Sequence, residues 1–218
     1  MKKCKTMNRF FFLTFGLLAI QGLVQAQGLK EFFNDQTVPL YYYGIDFTRT
    51  KVIDDNSASA EDIVARQYTG INELILSESK KYDVKAAYHR STFDHDLGTV
   101  NKRNQAVNPG QVMSTSSADF HRLNQDSINN IVKGFDFGSA KGIGLVIVME
   151  AMSKSDKASA AWFTLVDIAG KKVLLTERVE GKVGMGFGFR NYWATSIKKM
   201  LDEVEKKNYK DWKAKYGS

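Results

Sequence analysis

Hydrophobic residues follow three different rhythms along this chain, and each rhythm predicts a different kind of element. From Phe10 to Val24 they are nearly continuous, with only Thr14 and Gln21 polar. From Val38 to Phe47 (VPLYYYGIDF) aromatic and β-branched residues crowd into a short run, which predicts a strand with a bulge or close backbone approach at Gly44. Val64, Tyr68, Ile71 and Ile75 are spaced as on one helical face, behind Ser59 as N-cap and Asp62 in a box-like position. Residues 81–123 carry no clear rhythm, apart from a possible strand near Phe93–Val100 and a turn at Asn108-Pro109-Gly110. Ile128, Ile131 and Val132 then mark a short helix over Asp126–Val132, capped by Asn124 or Asp126.

The C-terminal half is more regular. Gly144–Ala151 (GLVIVMEA) is almost wholly apolar and predicts a strand buried on both faces. Ala160–Ile168 and Lys172–Val183, joined by Ala169-Gly170-Lys171, form the strongest hairpin signal in the chain. Gly184–Gly188 breaks that strand, and Trp193, Ile197, Met200, Leu201 and Val204 place one face of a helix over Arg190–Lys207. The predicted fold class is α+β: a single domain with a mixed, mostly antiparallel sheet of about five strands and two or three helices packed on it.

The first rhythm concerns address. Lys2, Lys3, Lys5 and Arg9 precede the apolar run, and Val24-Gln25-Ala26 supplies small or short side chains at a cleavage site, the layout of a secretory signal peptide. The run of about fifteen residues is short of the roughly 20 that a spanning helix needs. Residues 1–26 are therefore expected to be removed after Ala26, leaving 27–36 as a surface leader, 37–207 as the domain and 208–218 as a basic aromatic tail. The single cysteine, Cys4, precedes the apolar run rather than following it, so no lipid-anchor site is expected, and the processed chain would hold no thiol. A periplasmic or secreted location without an integral membrane span follows.

Processing also changes the charge. The whole chain carries 31 Lys and Arg against 24 Asp and Glu, a formal net charge of +7, and losing the four early cations leaves +3. No nucleic-acid partner is implied by so small an excess. Lys206, Lys207, Lys210, Lys213 and Lys215, interleaved with Tyr209, Trp212 and Tyr216, remain as a local basic stretch.

Candidate chemistry is sparse. No Gly-x-Ser-x-Gly elbow occurs, and Gly184-Met185-Gly186-Phe187-Gly188 lacks the spacing of a dinucleotide fingerprint, so it reads as a loop letting Phe187 and Phe189 fold over the core. Asp94-His95-Asp96 alternates on a strand, which separates the imidazole from the carboxylates, so no metal site or cofactor is expected. Tyr41 and Tyr43 share one face of their strand and, with Lys210, Trp212 and Tyr216, are the candidate binding residues. The leading expectation is a non-enzymatic domain that binds a protein or polymer of the cell envelope. The alternatives are an envelope-polymer hydrolase using carboxylates among Asp46, Asp94, Asp96 and Glu150, and a small-ligand or metal carrier using the Gly184–Gly188 loop or His95.

One further pattern runs from Leu145–Met149 through the hairpin Trp162–Asp167 and Gly170–Leu174 to Gly181, Gly184 and the Trp193 helix. It resembles the strand, "hydrophobic–Asp–x–x–Gly–Lys–hydrophobic" hairpin and closing helix of certain bacterial envelope proteins: the curli-secretion lipoprotein, the penicillin-binding-protein activator lipoprotein and the TolB N-terminal domain. The resemblance covers roughly residues 143–205 and implies an α+β domain that acts by binding. The lipobox cysteine of the lipoprotein members and the β-propeller that follows the TolB domain have no counterpart here.

Overall fold

The computed structural model describes residues 28–218. The expected signal peptide lies outside the described residues. Residues 28–34 form helix α1, and Leu40–Asp46 and Lys51–Ile53 form strands β1 and β2. A continuous helical stretch, α2, follows as Ala60–Asp62, a π-turn at Ile63–Gln67 and Tyr68–Ser77. Ser59 caps it, its hydroxyl accepting from the Asp62 N–H at 3.2 Å. Next come α3 (Val84–Ala87), β3 (Phe93–His95), α4 (Gly98–Gln105), β4 (Met113–Ser114) and α5 (Gln125–Lys133), the last opened by a reciprocal Asn124–Ser127 capping box. The long strands β5 (Ile143–Ser153), β6 (Ala158–Asp167) and β7 (Lys172–Lys182) precede α6, which runs Gly188–Glu203, Val204–Asn208 and Tyr209–Tyr216 without a break.

These strands make one seven-stranded sheet. β1 and β2 lie end to end and both pair in parallel with β5, Leu40 opposite Ile143 and Ile53 opposite Ser153. β3 pairs in parallel with the start of β1, and β4 with β2. β6 and β7 add an antiparallel hairpin on the other side of β5. The fold is therefore α/β, with five mutually parallel strands and, among the described residues, six helices besides 3-10 turns. The expected mostly antiparallel sheet with two or three helices is overturned. Parallel neighbours are joined through helical crossovers rather than tight turns, so they leave no hairpin signature. Strands as short as β3 and β4 also fall below what an alternation can reveal.

Helices cover both faces. On one face α2 and α6 bury Ile63, Tyr68, Ile71, Trp193, Ile197 and Met200 against Leu40, Tyr42, Leu145, Ile147 and Phe163. On the other, Ile128, Ile131 and Val132 of α5, with Phe135, Phe137 and Val100, cover Tyr43, Val146, Val148 and Val166. The segment expected as a surface leader is instead α1, whose Phe32 and Phe33 are fully buried. Arg90 holds it in place: its guanidinium donates to Phe32 O (2.7 Å), Asp35 O (2.9 Å), Tyr88 O (2.7 Å) and the Tyr209 hydroxyl (2.8 Å). The N-terminal helix, the turn after α3 and the C-terminal helix thereby share one buried cation.

The second half of β1 has no strand on its outer side, because the register of β3 ends at Tyr42. Two buried asparagines replace it. Asn72 of α2 accepts from Ile45 N (2.7 Å) and donates to Ile45 O (3.0 Å); Asn104 of α4 accepts from Phe47 N (2.7 Å) and donates to Ile45 O (2.9 Å). A carboxamide carries the same donor and acceptor as a peptide group, so the pair completes the ladder. Gly44 permits the close approach: its φ is +92°, and a Cβ there would sit 2.7 Å from Leu97 and 2.9 Å from Val100.

Replacing Asn72 by leucine leaves Ile45 N without a partner, while Ile45 O keeps Asn104. The expected loss is about 1–3 kcal/mol in urea unfolding, the cost of one buried group left unsatisfied. A second expectation concerns alkaline pH. Burial raises the phenol pKa of Tyr42, Tyr43, Tyr68 and Tyr88 above the ordinary 10.0. Unfolded, these phenols ionise near pH 10, so their contribution to stability is complete below that pH and is lost as pH rises toward the folded-state values. Tyrosinate absorbance should show these four groups ionising together with unfolding rather than near pH 10.

Candidate functional site

The residues singled out in the sequence take up two different situations. Tyr43 is buried, its ring edge-on to Phe137 and its hydroxyl donating to Phe137 O at 2.8 Å. Trp212 is also buried and donates to Glu177 Oε2 at 2.5 Å, across the face of β7. Tyr41, Lys210 and Tyr216 keep exposed surface. Tyr41 packs 4.9 Å from the Tyr43 ring, and its phenol pKa is raised by burial, with the Asp94 and Asp96 charges adding to the effect. Tyr41 and Tyr43 thus remain together, while Lys210, Trp212 and Tyr216 belong to the last turns of α6. β1 itself is an interior strand between β3 and β5.

The carboxylates raised as possible catalysts are not gathered around one opening. Asp46 is buried and accepts from Thr48 N (2.8 Å), Thr48 Oγ1 (2.5 Å) and Arg103 Nε (2.9 Å). Glu150 of β5 is buried, accepting from Leu123 N (2.5 Å), Trp162 Nε1 (3.3 Å) and Arg178 Nε (2.6 Å). Each has its lone pairs filled by protein donors, which suits a buried charge and leaves little for a substrate. Asp94 and Asp96 sit on the outer edge at β3, accepting from the backbone N–H groups of His95 and Gly98. Among the described residues, no group of three or more His, Cys, Asp or Glu is placed to hold a metal ion.

A different region emerges at one end of the sheet. A single row runs Ser114, Ile53, Ser153, Ala158 and Lys182, so the loops after β2, β4 and β7 and the turn between β5 and β6 form a common rim. In parallel sheets the carboxyl ends of the strands are the usual place for function, because loops there can vary without disturbing the core. Asp55 in the first of these loops is buried and accepts from Trp193 Nε1 at 2.9 Å and Ser57 N at 3.0 Å. Lys154 in the β5–β6 turn lies 3.7 Å above the Tyr192 ring. Both tie the rim to the start of α6.

The loop Val183–Phe187 is the rim's most exposed part. Met185 is 98% exposed and Phe187 93% exposed, the two large apolar side chains of the described residues left in solvent. Their backbone is nevertheless fixed. Val183 N donates to Lys157 O (2.9 Å), Gly184 N to Thr195 Oγ1 (2.7 Å), and Asn191 Nδ2 to Phe187 O (3.1 Å). Gly186 lies so close to α6 that a Cβ would come within 2.6 Å of Asn191 O. Phe189 folds onto the core as expected, packing edge-on to Trp193, whereas Phe187 points away from it. Spacing could not separate the two aromatics; only the position of Gly186 against α6 does.

No family model and no curated protein matches this chain. Among solved structures, it is similar to the lipoprotein GNA1162 from Neisseria meningitidis, with 14% identity over 67% of this chain and 81% of that one, at a TM-score of 0.29. It is also similar to the LpoB C-terminal domain from Salmonella enterica, with 8% identity over 72% of this chain and 95% of that one, at a TM-score of 0.29. Likeness at this level assigns no role to any residue here. Among the described residues, no helix is long and apolar enough to cross a membrane.

The Glu150–Arg178 pair supports the rim from below, since Arg178 also donates to Phe120 O at 2.7 Å and bridges Glu180. Arg178→Leu alone should cost about 3–5 kcal/mol in urea unfolding, because it strands a buried carboxylate. The double substitution Glu150→Leu/Arg178→Leu should recover most of that loss.

Proposed function

We propose that this protein is an exported, non-enzymatic interaction domain of the cell envelope, and that it docks by placing Met185 and Phe187 into an apolar pocket of its partner. One observation carries the reading: two large apolar side chains are held in water on a backbone that hydrogen bonds and a tight glycine contact keep in place. Exposed apolar side chains oppose solubility, and a flexible loop would fold them back. A rigid presentation loses little conformational freedom on binding, which is the advantage of a preorganised anchor. Export and envelope location rest on the n-region, apolar run and Ala26 of the leading segment. Tyr41 on one face of the sheet, and Lys210 and Tyr216 on the other, are separate secondary contacts in this reading, with Tyr43 and Trp212 packed beneath them.

Burying a methionine and a phenylalanine contributes roughly 1.5–3 kcal/mol each. The double substitution Met185→Ser/Phe187→Ser should therefore reduce co-fractionation of the protein with envelope by about tenfold or more. Its melting temperature should hold or rise, since neither side chain packs on the core. Unchanged co-fractionation at unchanged stability would reject the docking role.

A further inference from the structure

A second site lies away from the apolar rim, beside the break between β1 and β2. The turn Thr48–Thr50 is closed by Thr50 N donating to Phe47 O at 3.0 Å. It faces a polar cavity of about 270 Å³ lined by Thr48, Arg49, Thr50, Lys51, Val107, Gln111 and Arg122. Three of these residues are cations and none is an acid. Arg49 and Lys51 make no salt bridge among the described residues. The Lys51 ammonium donates to Gln111 O at 2.5 Å, and the Arg122 guanidinium donates to Arg49 O, which fixes two of the three against backbone carbonyls. Arg122 Nε is buried with no hydrogen-bond acceptor, and the nearest carboxylate, Asp119, stands 3.9 Å away while accepting from the Ser114 hydroxyl. Asp46, the other nearby carboxylate, is taken up by Arg103 and Thr48.

We infer that this cavity binds a phosphate group. Three like charges around one polar cavity repel one another, and an anion at their centre removes the repulsion. A carboxylate is planar, carries one charge and is satisfied by a single bidentate arginine. A phosphate carries up to two charges and presents acceptors in several directions, which matches a guanidinium and an ammonium from the Thr48–Lys51 turn and a second guanidinium from Arg122. The hydroxyls of Thr48 and Thr50 already donate to Asp46 Oδ1 and Met149 O, so recognition falls to the cations. Both a soluble phosphoester and a membrane lipid headgroup carry this chemistry.

The test compares melting of the whole protein in sodium phosphate, sodium acetate and sodium chloride at one ionic strength, with glycerol phosphate and phosphatidylglycerol vesicles as further arms. Phosphate and glycerol phosphate should raise the melting temperature above that in chloride or acetate. Arg49→Gln/Lys51→Gln, two substitutions at solvent-reaching side chains, should leave melting in chloride unchanged or raised, as the mutual repulsion is relieved, and weaken phosphate binding by about tenfold or more, given roughly 1.5–3 kcal/mol for a hydrogen bond to a charged group. Vesicle binding that the double substitution abolishes identifies a lipid headgroup as the source, and binding confined to glycerol phosphate identifies a soluble one. An equal response to acetate, no response beyond chloride, or undiminished phosphate binding by the double variant would overturn the inference. If the double variant melts lower in chloride, single Arg49→Gln carries the test.

Discussion

The interaction on which the rest of the architecture depends is the closure of β1 by side chains instead of a strand. A parallel sheet needs its interior strands hydrogen-bonded on both sides, and β3 leaves the second half of β1 bare. Asn72 and Asn104 supply the missing amides from α2 and α4, so a single solution to the backbone problem also fixes two helices to the sheet. With Ile45 and Phe47 held in this way, the chain can leave β1, turn at Phe47–Thr50 and resume as β2. The interruption lies opposite the irregularity of β5 between Met149 and Ala151, where Thr50 Oγ1 donates to Met149 O at 2.8 Å. The turn that displays Arg49 is thus a direct result of how β1 is completed.

Legibility in the sequence followed the range of the interactions. The β6–β7 hairpin, the Ser59-capped helix and the apolar face of α6 could all be read, because turn, cap and helical spacing are encoded within a few residues. Strand direction was not, since the partners of β1 lie about fifty and one hundred residues away and only tertiary packing selects them. The continuous burial of Tyr42 to Asp46 does agree with a strand covered on both faces, a pattern visible in the run Tyr-Tyr-Tyr-Gly-Ile once the alternation reading is set aside. The leader became helix α1 because Arg90 joins it to α6, a contact linking positions more than a hundred residues apart. The π-turn Val204–Asn208 had a similar effect at the other end, rotating Tyr209 and Trp212 onto the buried side of what would otherwise read as a solvated tail.

The same distinction governs the charged groups. Asp46 and Glu150 look in the sequence like any other carboxylates that could act on a substrate. In the fold each is surrounded by three protein donors: Asp46 by two from nearby Thr48 and one from remote Arg103, Glu150 by Leu123, Trp162 and Arg178. A buried carboxylate without such partners would be costly, so the fold uses Arg103 and Arg178 to make these positions tolerable. That requirement is structural, and it commits Asp46 and Glu150 to protein donors.

What remains for function is the surface that packing does not consume, and its two distinctive parts differ in kind. The Met185–Phe187 tip is apolar and stands at the junction of β7 and α6, where Gly186 lies against the helix backbone. The Arg49–Lys51 turn is cationic and stands at the break in the sheet's second column. Both are short loops whose ends are held by backbone hydrogen bonds. The backbone of such loops loses little freedom on binding, because the scaffold has already fixed it during folding. A domain built in this way can therefore keep its charged interior for stability and still present two chemically different surfaces, one apolar and one cationic, without either disturbing the core.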